Sequence, residues 1–152
     1  MRYSHDDTGL VRQPIGYWSW AAHEAVVGHI RGVLGELGLT QPQWWVLNQL
    51  AESPAGRDRT ELVAFLQGYL AVGAVRMDDE VEALIGRGLV APGEDGLLHN
   101  TPEGEALRAR AAVRQQGVRA KIHAGITDEE YIRALKVLQR MIHNVDGRAW
   151  HH

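Results

Sequence analysis

Cysteine is absent from this sequence. That excludes disulfides, thiolate metal sites and cysteine nucleophiles, and it makes a cytoplasmic location the simple expectation. No long uninterrupted apolar run occurs, so no membrane partner is expected. The opening Met1-Arg2-Tyr3-Ser4-His5-Asp6-Asp7 is polar and acidic with no apolar stretch behind it, which predicts no secretion signal. An excess of positive charge is also missing: the formal net charge is -3 and the isoelectric point about 6.2. The basic footprint usual for a DNA binder is therefore lacking in bulk, and any contact with nucleic acid has to come from a local patch, doubled if two chains pair. Phenylalanine appears once, whereas tryptophan appears five times in 152 residues. That length suits one domain covering 1–152.

What is present is mostly helical periodicity. Residues 1–14 show no clear period, end at Pro14 and read as an arm. From Ile15 to Leu37, Trp18, Ala22, Ala25, Val26, Ile30, Val33 and Leu37 recur at spacings of three and four, and Gly38 is a suitable stop. Gly28 and Gly32 lie one turn apart inside this helix, where each glycine costs about 1 kcal/mol against alanine. Close approach of another backbone is one reason for them, and simple tolerance is the other. Thr40-Gln41-Pro42-Gln43 fits a capping box ahead of a helix through Trp44, Leu47 and Leu50 that stops before Pro54.

Asp58-Arg59-Thr60-Glu61 starts a short helix carrying Leu62, Val63, Phe65 and Leu66, and Gly68-Tyr69 reads as a turn. A further helix is expected from about Val72 to Arg87. Leu89-Val90-Ala91 and Leu97-Leu98-His99 read as two short strands around a Pro92–Gly96 tip. Thr101-Pro102-Glu103 opens the next helix, which Gly125 ends. Thr127-Asp128-Glu129-Glu130 is another capping box, for a last helix expected to bury Ile132, Leu135, Leu138, Met141, Ile142 and Val145. The expected fold is mainly α with a small β-wing: helices, a helix-turn-helix, a hairpin and two terminal helices.

Four segments in that order resemble the MarR family of winged-helix transcriptional regulators. Gly38-Leu39-Thr40-Gln41-Pro42-Gln43-Trp44-Trp45-Val46-Leu47 is similar to the family's GLTxxQWxVL stretch, and Thr60-Glu61-Leu62-Val63-Ala64-Phe65-Leu66 to its ELAxxL helix. Val81–Val90 resembles VxxLxxxGLV, and Leu98–Gly104 resembles xLTPEG. The resemblance implies a winged helix-turn-helix at 40–101 that meets double-stranded DNA. It also implies N- and C-terminal dimerisation helices at 15–37 and 102–147 that join a homodimer. The function it implies is that of a ligand-responsive repressor, not an enzyme.

The residues of the reading surface depart from that pattern. Asp78-Asp79-Glu80 puts three consecutive acids on the expected recognition helix, with Arg76 as its central cation. The tip Gly93-Glu94-Asp95-Gly96 holds no arginine, where the family inserts one into the minor groove. A carboxylate can accept from cytosine, but acids beside phosphates repel. The groups expected at DNA are Arg57, Arg59, Thr60, Arg76 and Arg87; the alternative for the arginines is a solvated face. The rival reading of the whole chain is a winged-helix protein that has lost DNA binding and serves as a small-molecule-binding protein or enzyme.

Tyr17, Trp18, His23, Trp44 and Trp45 are the candidate ligand-binding residues. The resemblance implies a cleft between the first, second and fifth helices beneath the DNA-binding lobe. Stacking surfaces with a polar handle suit a small aromatic or polyketide-like effector, while Trp18 and Trp44 read equally as core. No cofactor is expected. Eight histidines are scattered, with no H-x-x-x-H or H-E-x-x-H spacing, so no metal site is expected. The 78–80 acids fan outward on consecutive helical positions and read as a solvated face, not as a catalytic pair. Nucleophile-elbow and phosphate-loop motifs are absent, so catalysis would have to use the Trp/His pocket.

Overall fold

The computed structural model describes residues 2–69 and 76–149. Along these the chain forms α1 (Asp7–Leu10), α2 (Ile15–Gly35), α3 (Gln41–Ala51), α4 (Arg59–Gln67) and α5 (Met77–Gly86). There follow β1 (Val90–Pro92), β2 (Leu98–Asn100), α6 (Pro102–Ile122) and α7 (Asp128–Asn144). The fold is the expected one, mainly helical with a single antiparallel hairpin.

Local chemistry sets most boundaries. Thr40 and Thr127 each accept from the backbone N–H three residues on, while Gln43 and Glu130 reach back to the threonine N–H, so both capping boxes are closed. Asp58 and Thr101 cap α4 and α6 in the same way, and Pro102 takes a position whose N–H would be unpaired anyway. α2 and α5 end alike. Gly38 and Gly88 both take φ of 69°, and the next N–H returns to the carbonyl five residues back, Leu39 to Leu34 and Leu89 to Leu84 at 3.0 Å.

This second exit explains a small correction to the wing. Leu89 belongs to the helix exit and not to a strand, because its N–H closes α5 and its carbonyl accepts from Thr101 at 3.1 Å. The strands therefore run one residue later than expected, in the register Val90↔Asn100, Ala91↔His99 and Pro92↔Leu98. Arg57 adds a bridge on the other side of β2, exchanging both backbone hydrogen bonds with Leu98.

Two other expectations are corrected. The 1–14 arm contains α1, capped by the Asp6 carboxylate on Gly9 N–H at 2.8 Å. The helix expected from Val72 starts at Met77 within the described residues; Val72 to Val75 lie outside them. Arg76 is extended, at φ -78° and ψ 122°, and precedes the helix instead of sitting in its middle. Acids at 78, 79 and 80 favour a first turn, where backbone N–H groups point at them, and the Met77 N–H donates to Gln67 Oε1 at 3.0 Å.

The core lies in the 34–111 half. Leu34, Val46, Leu47, Leu62, Val81 and Leu84 are all fully enclosed where α2, α3, α4, α5 and α6 meet. Gly104 fits here because a Cβ on it would overlap the Leu89 carbonyl oxygen. The terminal helices are different. α7 buries no residue, so Ile132, Leu135, Leu138, Met141, Ile142 and Val145 are not buried within the single chain as the sequence suggests. Ile132 is 49% exposed and Val145 77%. Among the described residues, nothing outside the helix's own turns lies within 4 Å of a Cβ built on Gly28 or Gly32 either. α7 is a 17-residue amphipathic helix, and among the described residues its apolar stripe is only partly covered. Among the described residues no helix is long and apolar enough to cross a membrane.

Candidate nucleic-acid interface and ligand clefts

α4, α5 and the β1–β2 hairpin bring the expected DNA-contact residues onto one lobe. Their side chains are mostly engaged already. Arg57 donates to Gln49 Oε1 at 2.6 Å and its guanidinium lies 5.3 Å from the Phe65 ring centre. With its backbone bridged to β2, it braces the wing. Arg59, the first residue of α4, donates from Nε to Asp78 Oδ1 and from Nη1 to Glu82 Oε2, both at 2.9 Å. These hydrogen bonds, Glu82 first, raise its pKa further above an already high value. Arg87 donates to Gln43 Oε1 at 3.1 Å. Thr60 is exposed in the first turn of α4. Arg76 is exposed, and among the described residues it makes no ion pair.

The acids of α5 are exposed or half-exposed, and three of them also have partners. Glu80 Oε2 accepts from Thr40 Oγ1 at 3.0 Å and from Gln43 Nε2 at 2.7 Å. Gln43 is 6% exposed. Its Oε1 accepts from the Thr40 N–H at 3.3 Å and from Arg87, while its Nε2 serves Glu80. Thr40, Gln43, Glu80 and Arg87 are thus one polar chain tying the start of α3 to both ends of α5. A buried amide satisfied in this way fixes one orientation of the reading helix, since leaving it unpaired costs about 1–3 kcal/mol. Sequence reasoning found Gln43 as a capping residue but missed Glu80 as its partner, because their contact spans 37 residues. Of the 78–82 acids, Asp79 is exposed without a side-chain partner among the described residues.

The wing tip holds no cation. Asp95 Oδ1 accepts from the Leu97 N–H at 3.0 Å and lies 3.7 Å from His99 Nε2. The His99 ring fits against Gly56 and Gly93; a Cβ on Gly56 would sit 2.6 Å from it. The hairpin is thereby held to the loop before α4.

The candidate ligand-binding residues fall into separate groups. Tyr17 and Trp18 are exposed on α2, their ring centres 5.5 Å apart. Trp18 borders two open clefts. One, of about 430 Å³, runs against Ala134, Val137 and Leu138 of α7; the other, of about 520 Å³, runs against Tyr3, Leu10 and Gln13 of the arm. His23 is exposed on α2 and lines neither. Trp44 and Trp45 are half-buried on α3 against the core, and Trp45 stacks 5.3 Å from Tyr69. Among the described residues, neither cleft beside Trp18 is lined by Trp44: one indole is on the side of the terminal helices, the other in the lobe. A third cleft of about 420 Å³ lies among Val26, Ile30, Val118, Ile122 and Tyr131, beside a Gln115 Nε2 with no acceptor among the described residues. Among the described residues no cluster of groups suited to a metal ion occurs.

No protein-family model matches the chain, and no curated protein is similar enough to align with it. Solved structures do match. A MarR family transcriptional regulator from Silicibacter pomeroyi superposes with a TM-score of 0.67 over 93% of this chain and 99% of its own, at 20% identity. The Mycobacterium tuberculosis MarR family protein Rv2887 in complex with DNA matches at 25% identity and a TM-score of 0.62, over 85% of this chain and 98% of that one. CouR from Rhodococcus jostii RHA1, bound to p-coumaroyl-CoA, matches at 25% identity and 0.66, over 85% and 91%.

Proposed function

We propose that this chain, a winged-helix protein of the MarR family, is a ligand-responsive transcriptional regulator that binds double-stranded DNA as a homodimer in the cytoplasm. One observation carries the reading: the lobe of α3, α4, α5 and hairpin, together with long terminal helices, matches over nearly the full length of a relative captured on DNA and another holding an acyl-CoA. In this reading residues 40–101 meet DNA, with Thr60, Arg76 and the re-orientable Arg59 and Arg87 on the phosphates. Residues 15–37 and 102–147 join two copies through the apolar stripe that α7 leaves open. The chain acts as a repressor without catalysis.

An effector acts by binding one spacing of the two reading helices better than another. The clefts beside Trp18 lie at the junction of α2 with α7 and the arm, where an aromatic or polyketide-like molecule seated against the indole would shift the helices that set this spacing. Trp44 and Trp45, braced against the lobe core, transmit that shift.

A second reading has a specific observation behind it: acids occupy the reading helix and its cations are largely taken, so the scaffold has given up DNA and keeps only ligand binding. Titrating the protein against labelled duplex from the region upstream of its own reading frame, at rising salt, separates the two. The regulator reading expects a specific complex whose log affinity falls with log salt, and a loss of affinity in Arg76→Ala without loss of fold. Absence of any complex at low salt leaves the second reading standing.

A further inference from the structure

Arg59 is held in an arrangement that a DNA phosphate would also satisfy. Asp78 and Glu82 are four residues apart on α5, so their carboxylates share one side of the helix. The guanidinium fork spans both: Nε and Nη2 meet Asp78 Oδ1 at 2.9 and 2.8 Å, and Nη1 meets Glu82 Oε2 at 2.9 Å. Two carboxylates on one cation leave a local charge of minus one at the junction of α4 and α5, where the lobe would approach the phosphate backbone. The three side chains are 36%, 47% and 65% exposed. Pairs this open add little to stability, typically about 0–1 kcal/mol, so this one is not needed to hold the fold and can be exchanged. The same N–H groups can instead take a phosphate, which a guanidinium binds through two parallel hydrogen bonds.

We infer that Asp78 and Glu82 form an internal latch that occupies Arg59 in place of a DNA phosphate, making Arg59 a DNA ligand used only when the latch opens. The inference rests on the DNA-binding reading above. It extends that reading, because it sets the affinity of the chain through a competition inside the lobe. While the latch is shut, Arg59 contributes nothing to DNA and the acids repel it. When it opens, one further phosphate is neutralised.

The test is a cycle of variants titrated against a labelled random-sequence duplex over a salt series. Asp78→Asn with Glu82→Gln is expected to tighten binding on the order of tenfold and to steepen the log-affinity against log-salt slope by about one. Arg59→Ala in that background removes both gains, and so costs several-fold more affinity there than it does in the otherwise unaltered protein. Asp79→Asn removes one acid from the same helix without touching Arg59, and it measures the plain loss of repulsion. Its gain is expected to be the same with or without Arg59. Circular dichroism melts check folding, and Glu82→Gln alone, at an exposed mid-helix position, serves if the double variant unfolds. An equal cost of Arg59→Ala in both backgrounds overturns the latch while leaving DNA binding intact. Absence of binding by every variant overturns the latch and the DNA reading together.

Discussion

Alanine at position 104 puts a methyl group into a space already filled by backbone. Gly104 is the third residue of α6, and a Cβ there overlaps the Leu89 carbonyl oxygen and lies 2.9 Å from the carbonyl carbon. Neither atom can rotate away, because the same oxygen accepts from the Thr101 N–H at 3.1 Å and the Thr101 hydroxyl donates to Gly88 O at 2.7 Å. Relief therefore means shifting the start of α6 off the α5 exit. Overpacking of this kind costs about 3 kcal/mol at the upper end. One loosened hydrogen bond adds about 1 kcal/mol, and the better helix propensity of alanine returns about 1 kcal/mol. The net loss for Gly104→Ala is about 3 kcal/mol. With a urea slope of about 2 kcal/mol per molar, the unfolding midpoint drops by roughly 1.5 M at a fixed protein concentration. Gly117→Ala, further along the same helix with nothing within 4 Å of its added Cβ, is the comparison and should cost nothing. An unchanged midpoint for Gly104→Ala would refute the placement of α6 against Leu89.

Two further outcomes are expected. Leu135→Asp puts a charge in the apolar stripe of α7, where Leu135 is 41% exposed in the single chain; sedimentation equilibrium should then find one chain instead of two, and an unchanged dimer would place the partner surface elsewhere. Glu105, held below the usual carboxylate range chiefly by its hydrogen bonds from Arg108, gives stability that is present above the unfolded pKa and lost as pH falls through the depressed folded one. Glu105→Gln should thus cost about 1 kcal/mol or less near neutrality, with the difference from the unaltered protein closing in acid; a difference that persists in acid would mean packing, not charge, is at work.

The parts of the fold legible in the sequence are those fixed within four residues. The boxes at Thr40 and Thr127, the Thr101-Pro102 start and the glycine exits at 38 and 88 are visible because each partner is a near neighbour. The start of α5 was misplaced because its cap comes from Gln67, ten residues back. Arg57 reads as a DNA contact, and its single-residue backbone bridge to β2 leaves no periodic trace in the sequence. The partners of the acids at 78–80 leave no trace for the same reason: Arg59, Thr40 and Gln43 approach them only through the tertiary fold. Trp18 and Trp44 read alike, as cleft or core, but α2 enters the core only near Leu34, leaving its Trp18 end in the open. The stripe of α7 is apolar as expected, and among the described residues none of it is buried within the single chain.

The stoichiometry of the complex with upstream duplex, measured by sedimentation at low salt, tests the central claim most directly. Two chains on one duplex, dissociating as salt rises, is the predicted result. One chain per duplex, or free DNA beside free protein, would contradict it.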